Sequence, residues 1–276
     1  MSHQGVSWAR IMAPVAGGDA DAAVLAAAAA IAAPFEAELA AVYAPADVAD
    51  LMPWMGEGFM GGVQVAAVQS LKDAAAEGER AARTNLESCA YARKTFTALT
   101  SPVWSALSME GRLSDVVVFD DATARGKGPL AESFQQIVAD EQRPTLVARP
   151  GLNIQGVIAI AWDGGKEASR AARTALPLLQ KASRVVIIAA PASSSRYFEP
   201  KRLQQFLAER GVTADIHGVS DSGDAASLLL NAAKTVSADL LVAGAFGHPR
   251  LQEFIFGGTT RSFLNAAGAP SLFLSH

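Results

Sequence analysis

Apolar residues along this chain fall into short continuous runs, separated by longer stretches with three-to-four spacing. Val157–Trp162 is one such run, ended by Asp163, Gly164 and Gly165. Residues 166–180 then set Ala168, Ala172, Leu176 and Leu179 at helical spacing. Arg184–Ala190 is continuous and β-branched, the pattern of a strand buried on both faces. Residues 200–210 read as a helix that stops at Gly211, a favourable residue just past a helix end. Val212–Val219 predicts a weaker strand and Asp224–Val236 an amphipathic helix. Leu240–Ala243 predicts a strand ending in glycines, 258–267 a helix, and Ser271–Leu274 a last strand after Pro270. Strands that alternate with helices imply right-handed βαβ units, hence an α/β fold with an open parallel sheet and helices on both faces.

The first half repeats this pattern. Ile11–Val15, Leu39–Tyr43, Thr95–Leu99, Val116–Phe119 and Thr145–Ala148 predict five strands, with helices over 19–34, 66–92 and 129–140. Short matches point to duplication. Ser114-Asp115-Val116-Val117-Val118 parallels Ala238-Asp239-Leu240-Leu241-Val242, and Pro144-Thr145-Leu146-Val147 parallels Pro270-Ser271-Leu272-Phe273. The chain therefore reads as two five-stranded domains, 1–150 and 151–276, joined near Pro150–Gln155. The first is the longer, and its extra length falls at 46–64. That segment holds Met52, Trp54, Met55, Phe59 and Met60 among glycines. It covers the first domain's core, or forms a lid over a ligand or an adaptable interaction surface; the cover is the simpler reading.

Composition narrows the function. Of 276 residues, 50% are hydrophobic and 18% charged, which excludes a disordered chain. Lys and Arg number 23 against 27 Asp and Glu, a net charge of −4, so the basic field of a nucleic-acid binder is missing. A single cysteine, Cys89, cannot close an intrachain disulfide and reads as a small packing residue. The four histidines have no zinc-ligand spacing. Residues 23–34 are all apolar, but a helix of that length rises about 18 Å, short of the roughly 30 Å hydrocarbon core. Met1–Gly5 lacks the layout of a signal peptide. These features predict a soluble, cytoplasmic protein with neither a nucleic-acid nor a membrane partner.

The sharpest chemical feature is a run of glycines between a strand and a helix. Gly244, Gly247, Gly257 and Gly258 are followed directly by Thr259 and Thr260. In an open α/β sheet, ligands bind beyond the carboxyl ends of the strands at the topological switch point. Glycines there let backbone approach phosphate oxygens, the helix N-terminus offers N–H groups to an anion, and the threonines add hydroxyls. Arg250 and Arg261 are nearby cations, and His248 sits within the run, facing either phosphate or solvent. Turn chemistry alone also uses glycines after a strand. Four of them at this spacing, followed by two threonines, favour a phosphate site.

Here the chain resembles a tandem universal stress protein. Nucleotide-binding members of that family carry G-x2-G-x9-G-[ST] before the last helix and strand. Gly244, Gly247 and Gly257 match this pattern, and Gly258 stands where the family has Ser or Thr. The resemblance covers roughly 156–276 well and 10–150 weakly. It implies two Rossmann-like or flavodoxin-like domains of the adenine nucleotide α-hydrolase-like type. It also implies ATP, or ADP or AMP, in the second domain, with or without Mg²⁺, and a regulatory role in stress response. Asp163 and Ala190, with Ala161 adjacent, line the adenine pocket by this likeness. Gly244 and Gly247 hold ribose and phosphate, and Gly257, Gly258, Thr259 and Thr260 cradle the remaining phosphates. Family domains pair through their last strands, so Thr145–Ala148 and Ser271–Leu274 are expected to pair within the chain as a pseudo-dimer, and two chains can associate further as a homodimer.

The first half departs from the pattern. Its corresponding loop runs from Asp120 and Asp121 through Arg125, Gly126, Lys127 and Gly128, with the glycine spacing lost and carboxylates where phosphate would lie. Its first strand ends without an Asp, at Val15-Ala16-Gly17. The expectation is a degenerate domain without nucleotide. Asp120 and Asp121 read as solvated or helix-capping carboxylates rather than metal ligands. Ala16–Asp21 bears only a faint likeness to the S-G-G-x-D-S loop of ATP pyrophosphatases. No P-loop or G-x-S-x-G elbow is present. His217 reads as a structural histidine in a strand. The chain is thus expected to bind nucleotide without being an enzyme. Slow ATP hydrolysis with Glu253 as base and a nucleotide-free interaction scaffold are the alternatives.

Overall fold

The computed structural model describes residues 7–45, 61–99, 103–189, 199–219, 224–245 and 258–276. In chain order the first half holds β1 (Arg10–Val15), α1 (Ala20–Ala32), a 3-10 turn (Ala33–Phe35), β2 (Glu38–Tyr43), α2 (Gly61–Ser88) and β3 (Lys94–Ala98). It continues with α3 (Val103–Arg112), β4 (Val116–Asp120), α4 (Asp121–Ala124), α5 (Ala131–Ala139) and β5 (Thr145–Ala148). The second half holds β6 (Val157–Trp162), α6 (Lys166–Thr174), α7 (Leu176–Leu179), β7 (Arg184–Ala189) and α8 (Pro200–Ala208). It ends with β8 (Ala214–Gly218), α9 (Ala225–Thr235), β9 (Leu240–Gly244), α10 (Gly258–Asn265) and β10 (Ser271–Ser275).

The ten strands form one sheet in the order β3-β2-β1-β4-β5-β10-β9-β6-β7-β8. Each half has the Rossmann-type order 3-2-1-4-5, which distinguishes it from the flavodoxin-like order 2-1-3-4-5. Strands within a half run parallel, and the halves meet antiparallel at the centre. There Leu272 lies opposite Val147, Phe273 opposite Leu146 and Leu274 opposite Thr145. This is the end-strand pairing expected from the resemblance. The topological switch points fall between β1 and β4, and between β6 and β9.

Side-chain alternation along the strands builds two cores, one on each face of the sheet. Ile158, Ile160 and Trp162 of β6 join α6 and α8 on one face, while Ala159 and Ala161 join α9 and α10 on the other. The alanine-rich run is the 13-residue helix α1, which buries Val24, Leu25, Ala28, Ile31 and Ala32 against the sheet. Its small side chains let helix and sheet approach closely. No helix among the described residues is long and apolar enough to cross a membrane. Residues 166–180 form two helices rather than one, because Pro177 has no N–H to continue the α6 ladder.

The repeated Asp has a structural cause. Asp115 Oδ2 accepts from the amides of Ala9 (2.6 Å) and Arg10 (2.9 Å), and Asp239 Oδ2 accepts from the Val157 amide (2.7 Å). In each half, a carboxylate just before the fourth strand ties down the start of the first strand. The halves differ most after their second strands. Helix α2 has 28 residues, whereas its counterpart α8 has nine. Residues 61–64 of the expected insertion belong to α2, and the rest of it, including Met52, Trp54 and Met60, lies outside the described residues.

Candidate functional site

Because β6 and β9 are parallel neighbours, their carboxyl ends open onto the same side of the sheet. The loop after β6 begins at Asp163, which is exposed, and its Oδ1 accepts from the Gly165 amide at 2.8 Å. That bond shapes the turn into α6. Ala161 sits two residues earlier, buried within β6. Gly244 ends β9 opposite Ser275 of β10. A Cβ there would lie 2.6 Å from the Glu167 carbonyl carbon and 2.7 Å from the Ala168 nitrogen. Only glycine lets the first turn of α6 pass this close to the end of β9, so Gly244 has a packing role whatever it does for a ligand.

Gly258 opens α10. Among the described residues, a Cβ at Gly258 would meet nothing within 4 Å, so none of them demands glycine there. Gly258 and Thr259 are exposed on the first turn of α10, whereas Thr260 is turned inward and is 4% exposed, beside Phe263 and Leu264. The two threonines therefore do not present their hydroxyls together: Thr259 faces outward and Thr260 packs inward. Ala190, Gly247 and Gly257 lie outside the described residues, as do His248, Arg250 and Glu253. His217 lies on the edge strand β8, and Cys89 is partly buried against the core.

The equivalent place in the first half is built differently. Asp120 caps α4, accepting from the Thr123 amide (2.9 Å) and hydroxyl (2.6 Å). Asp121 is ion-paired with Arg125 at 2.5 Å and with Arg149 at 2.7 Å. The carboxylates that replace the glycine spacing are thus held in structural bonds, one as the expected cap and the other as an ion-pair partner. A cavity of about 350 Å³ remains between β1 and β4, lined by Pro14, Gly17, Asp21, Phe119, Asp120 and Lys127 among others. Among the described residues, no three or more His, Cys, Asp or Glu side chains converge on a point suited to a metal ion.

Asp21 is the residue that sequence patterning passed over. It is 4% exposed, and its two oxygens accept from the Ala16 amide (3.0 Å) and the Gly17 amide (2.8 Å). Its carboxylate fills the small nest of amides after β1. Burial pushes its pKa above the ordinary 3.8, and the amide donors oppose that rise. A carboxyl with a raised pKa in the folded state binds its proton more tightly there than in the unfolded chain. Its contribution to stability is therefore complete below about pH 3.8 and is lost as pH rises through the raised value. Asp21→Asn should abolish this contribution. The difference in unfolding free energy between wild type and Asp21→Asn, measured by urea melts from pH 3.5 upward, should fall with pH and then level off. A flat difference would show that Asp21 titrates as an ordinary carboxyl.

Residues 156–274 match the model of the universal stress protein family. The fold is similar over nearly the whole chain to a universal stress protein from Archaeoglobus fulgidus, at 12% identity and a TM-score of 0.64, covering 96% of this chain and 95% of that one. It is also similar to a functionally unknown protein from Pseudomonas aeruginosa PAO1, at 14% identity and a TM-score of 0.56, covering 97% of this chain and 92% of that one. At such identities the likeness is one of fold. No curated protein matches the chain in sequence. The second half thus carries a universal stress protein family domain, and both halves of the chain carry the Rossmann-like fold in tandem.

Proposed function

We propose that the second half binds one adenine nucleotide, ATP or a relative, and that the first half binds none. The observation that carries this reading is the pairing of Gly244 at the end of β9 with an exposed α10 N-terminus across a glycine-bearing loop, at the switch point of the half that matches the family. The exposed first turn of α10, where no described residue crowds the Gly258 Cβ position, suits a phosphate group. Asp163, Ala161 and Ala190 would line the adenine side, Gly244 and Gly247 the ribose and first phosphate, and Gly257, Gly258 and Thr259 the remaining phosphates. Thr260, packed inward, is better suited to seating α10 than to touching the ligand. Mg²⁺ would neutralise phosphate charge when present. In this reading the protein acts in the cytoplasm as a regulator in stress response, with nucleotide as its signal and without rapid turnover. In the first half, Asp19, the buried Asp21 and the capping Asp120 line the corresponding cavity against a single cation among the described residues, Lys127, a balance of charge that disfavours phosphate.

The test is nucleotide content. Freshly purified protein is denatured and its supernatant analysed chromatographically, and ATP is then titrated into emptied protein by calorimetry. One nucleotide per chain is expected. Gly258→Ser restores the family's hydroxyl and should tighten ATP binding by about three- to tenfold, as one added hydrogen bond would. Two nucleotides per chain would overturn the assignment of the first half. No nucleotide and no heat at millimolar ATP would leave an interaction scaffold as the function. Steady phosphate release would instead show an ATPase.

A further inference from the structure

We propose that Arg149 couples the first half to the nucleotide site of the second, by positioning α10 from its C-terminal end. The proposal rests on the nucleotide reading above. Arg149 follows β5 directly and is only 8% exposed. All three nitrogens of its guanidinium are engaged. Nε donates to Asp121 Oδ1 (2.7 Å) and Nη1 to the Pro270 carbonyl (2.8 Å). Nη2 donates to the carbonyls of Phe263 (3.0 Å) and Leu264 (2.8 Å), and the Arg149 amide donates to Ser271 Oγ (3.0 Å).

Phe263 and Leu264 belong to the last turn of α10, where carbonyls have no partner within the helix. A cation at that end also suits the helix dipole. Helix α10 has eight residues, too few to hold its own shape or direction in isolation. Its pose is set by what grips it: the inward face of Thr260, Phe263 and Leu264, and the Arg149 clamp. A helix this short, about 12 Å long, transmits a shift at its C-terminal end to Gly258 and Thr259 at the other.

The counter-charge to Arg149 comes from the first half. Asp121 opens α4, in the loop that replaces the glycine motif, and Arg125 holds its other oxygen. An ion pair with one partner buried is seldom the most stabilising way to fill a space, and its clearest use is to specify one arrangement. Arg125, Asp121, Arg149 and the α10 carbonyls form one continuous strut. The loop that has lost the glycine spacing thus fixes the helix that starts the phosphate site of the other half.

The test uses the full chain with Arg149→Lys, Asp121→Asn and, as a control, Asp120→Asn. The control takes the charge off the capping residue of the same short helix without touching Arg149, while Asn can still accept from the Thr123 amide. ATP affinity is read by calorimetry, and amide hydrogen exchange over 258–265 is read in ligand-free protein. Arg149→Lys and Asp121→Asn should weaken ATP binding by about fivefold or more and speed exchange over 258–265, while the control changes neither. Unchanged affinity in both variants, or equal weakening in Asp120→Asn, would overturn the coupling. If wild-type protein binds no ATP, the nucleotide reading fails, and exchange alone decides whether Arg149 positions α10. Faster exchange confined to that helix upholds the clamp, and unchanged exchange overturns it. If Arg149→Lys does not fold, Asp121→Asn carries the test, because the Asp121 side chain is 27% exposed and is the easier one to replace.

Discussion

Phe273→Ala should lower the stability of the whole chain by about 3–5 kcal/mol, the usual cost of removing a fully buried phenylalanine. Phe273 is completely buried in β10, the strand through which the second half joins the first. Its ring stacks on Trp8 at 6.1 Å and 15°, and Trp8 in turn packs against Phe35 at 5.2 Å. Across the antiparallel pair it faces Leu146 of β5. The side chain is therefore shared by both halves, and its loss leaves a cavity at their seam. Urea unfolding followed by far-UV circular dichroism should show one transition in wild type and one, shifted to lower urea, in the variant. A loss under about 1 kcal/mol, or a biphasic curve in which one half melts as in wild type, would show that the halves are energetically independent.

Gly244→Val should destabilise the ligand-free protein by about 1–3 kcal/mol or more, the cost of overpacking. The added Cβ would meet backbone atoms of Glu167 and Ala168, which cannot rotate away as a side chain can. Relief requires moving the first turn of α6, and with it the turn held by Asp163. The melting temperature should fall by roughly 2–12 °C, taking about 2–4 °C per kcal/mol for a protein of this size. Gly258→Ser should show no such penalty, since none of the described residues lies within 4 Å of its Cβ position. An unchanged melting temperature for Gly244→Val would remove the packing role. A drop would mean that lost ATP binding in that variant is no evidence of a direct contact. The glycines of one motif thus separate into one required by packing and one that is not.

Much of the architecture was legible from residue order. Alternation of buried runs with helical spacing placed all ten strands to within a residue or two. This worked because a parallel strand covered on both faces must be apolar throughout, as Ile158–Trp162 is. The duplicated Asp115 and Asp239 marked the repeat correctly, and the structure supplies their reason: each anchors the start of a first strand. Helices α3 and α4 were not legible. The first is short and carries Ser and Gly within a weak pattern, and the second is a single turn that forms around the Asp120 cap.

The candidate site was legible as a motif but not as an arrangement. Thr259 and Thr260 are equivalent on paper, yet helical rotation sends one to solvent and the other inward. Arg149 and Asp21 gave no signal because their partners lie far away in sequence or in backbone amides. Arg149 meets Leu264 across 115 positions.

The seam through the two last strands came from the family resemblance; by itself the sequence determined the α/β class, the duplication and the glycine-bearing loop that the family pattern marks. These depend on local periodicity and on residue types whose backbone preferences act wherever they occur. Tertiary structure alone decided the strand order, the packing demand at Gly244, the carboxylate buried in the nest after β1 and the Arg149 clamp across the halves. Each of these depends on distances between residues remote in the chain, which periodicity does not encode and which only the closed sheet brings within bonding reach.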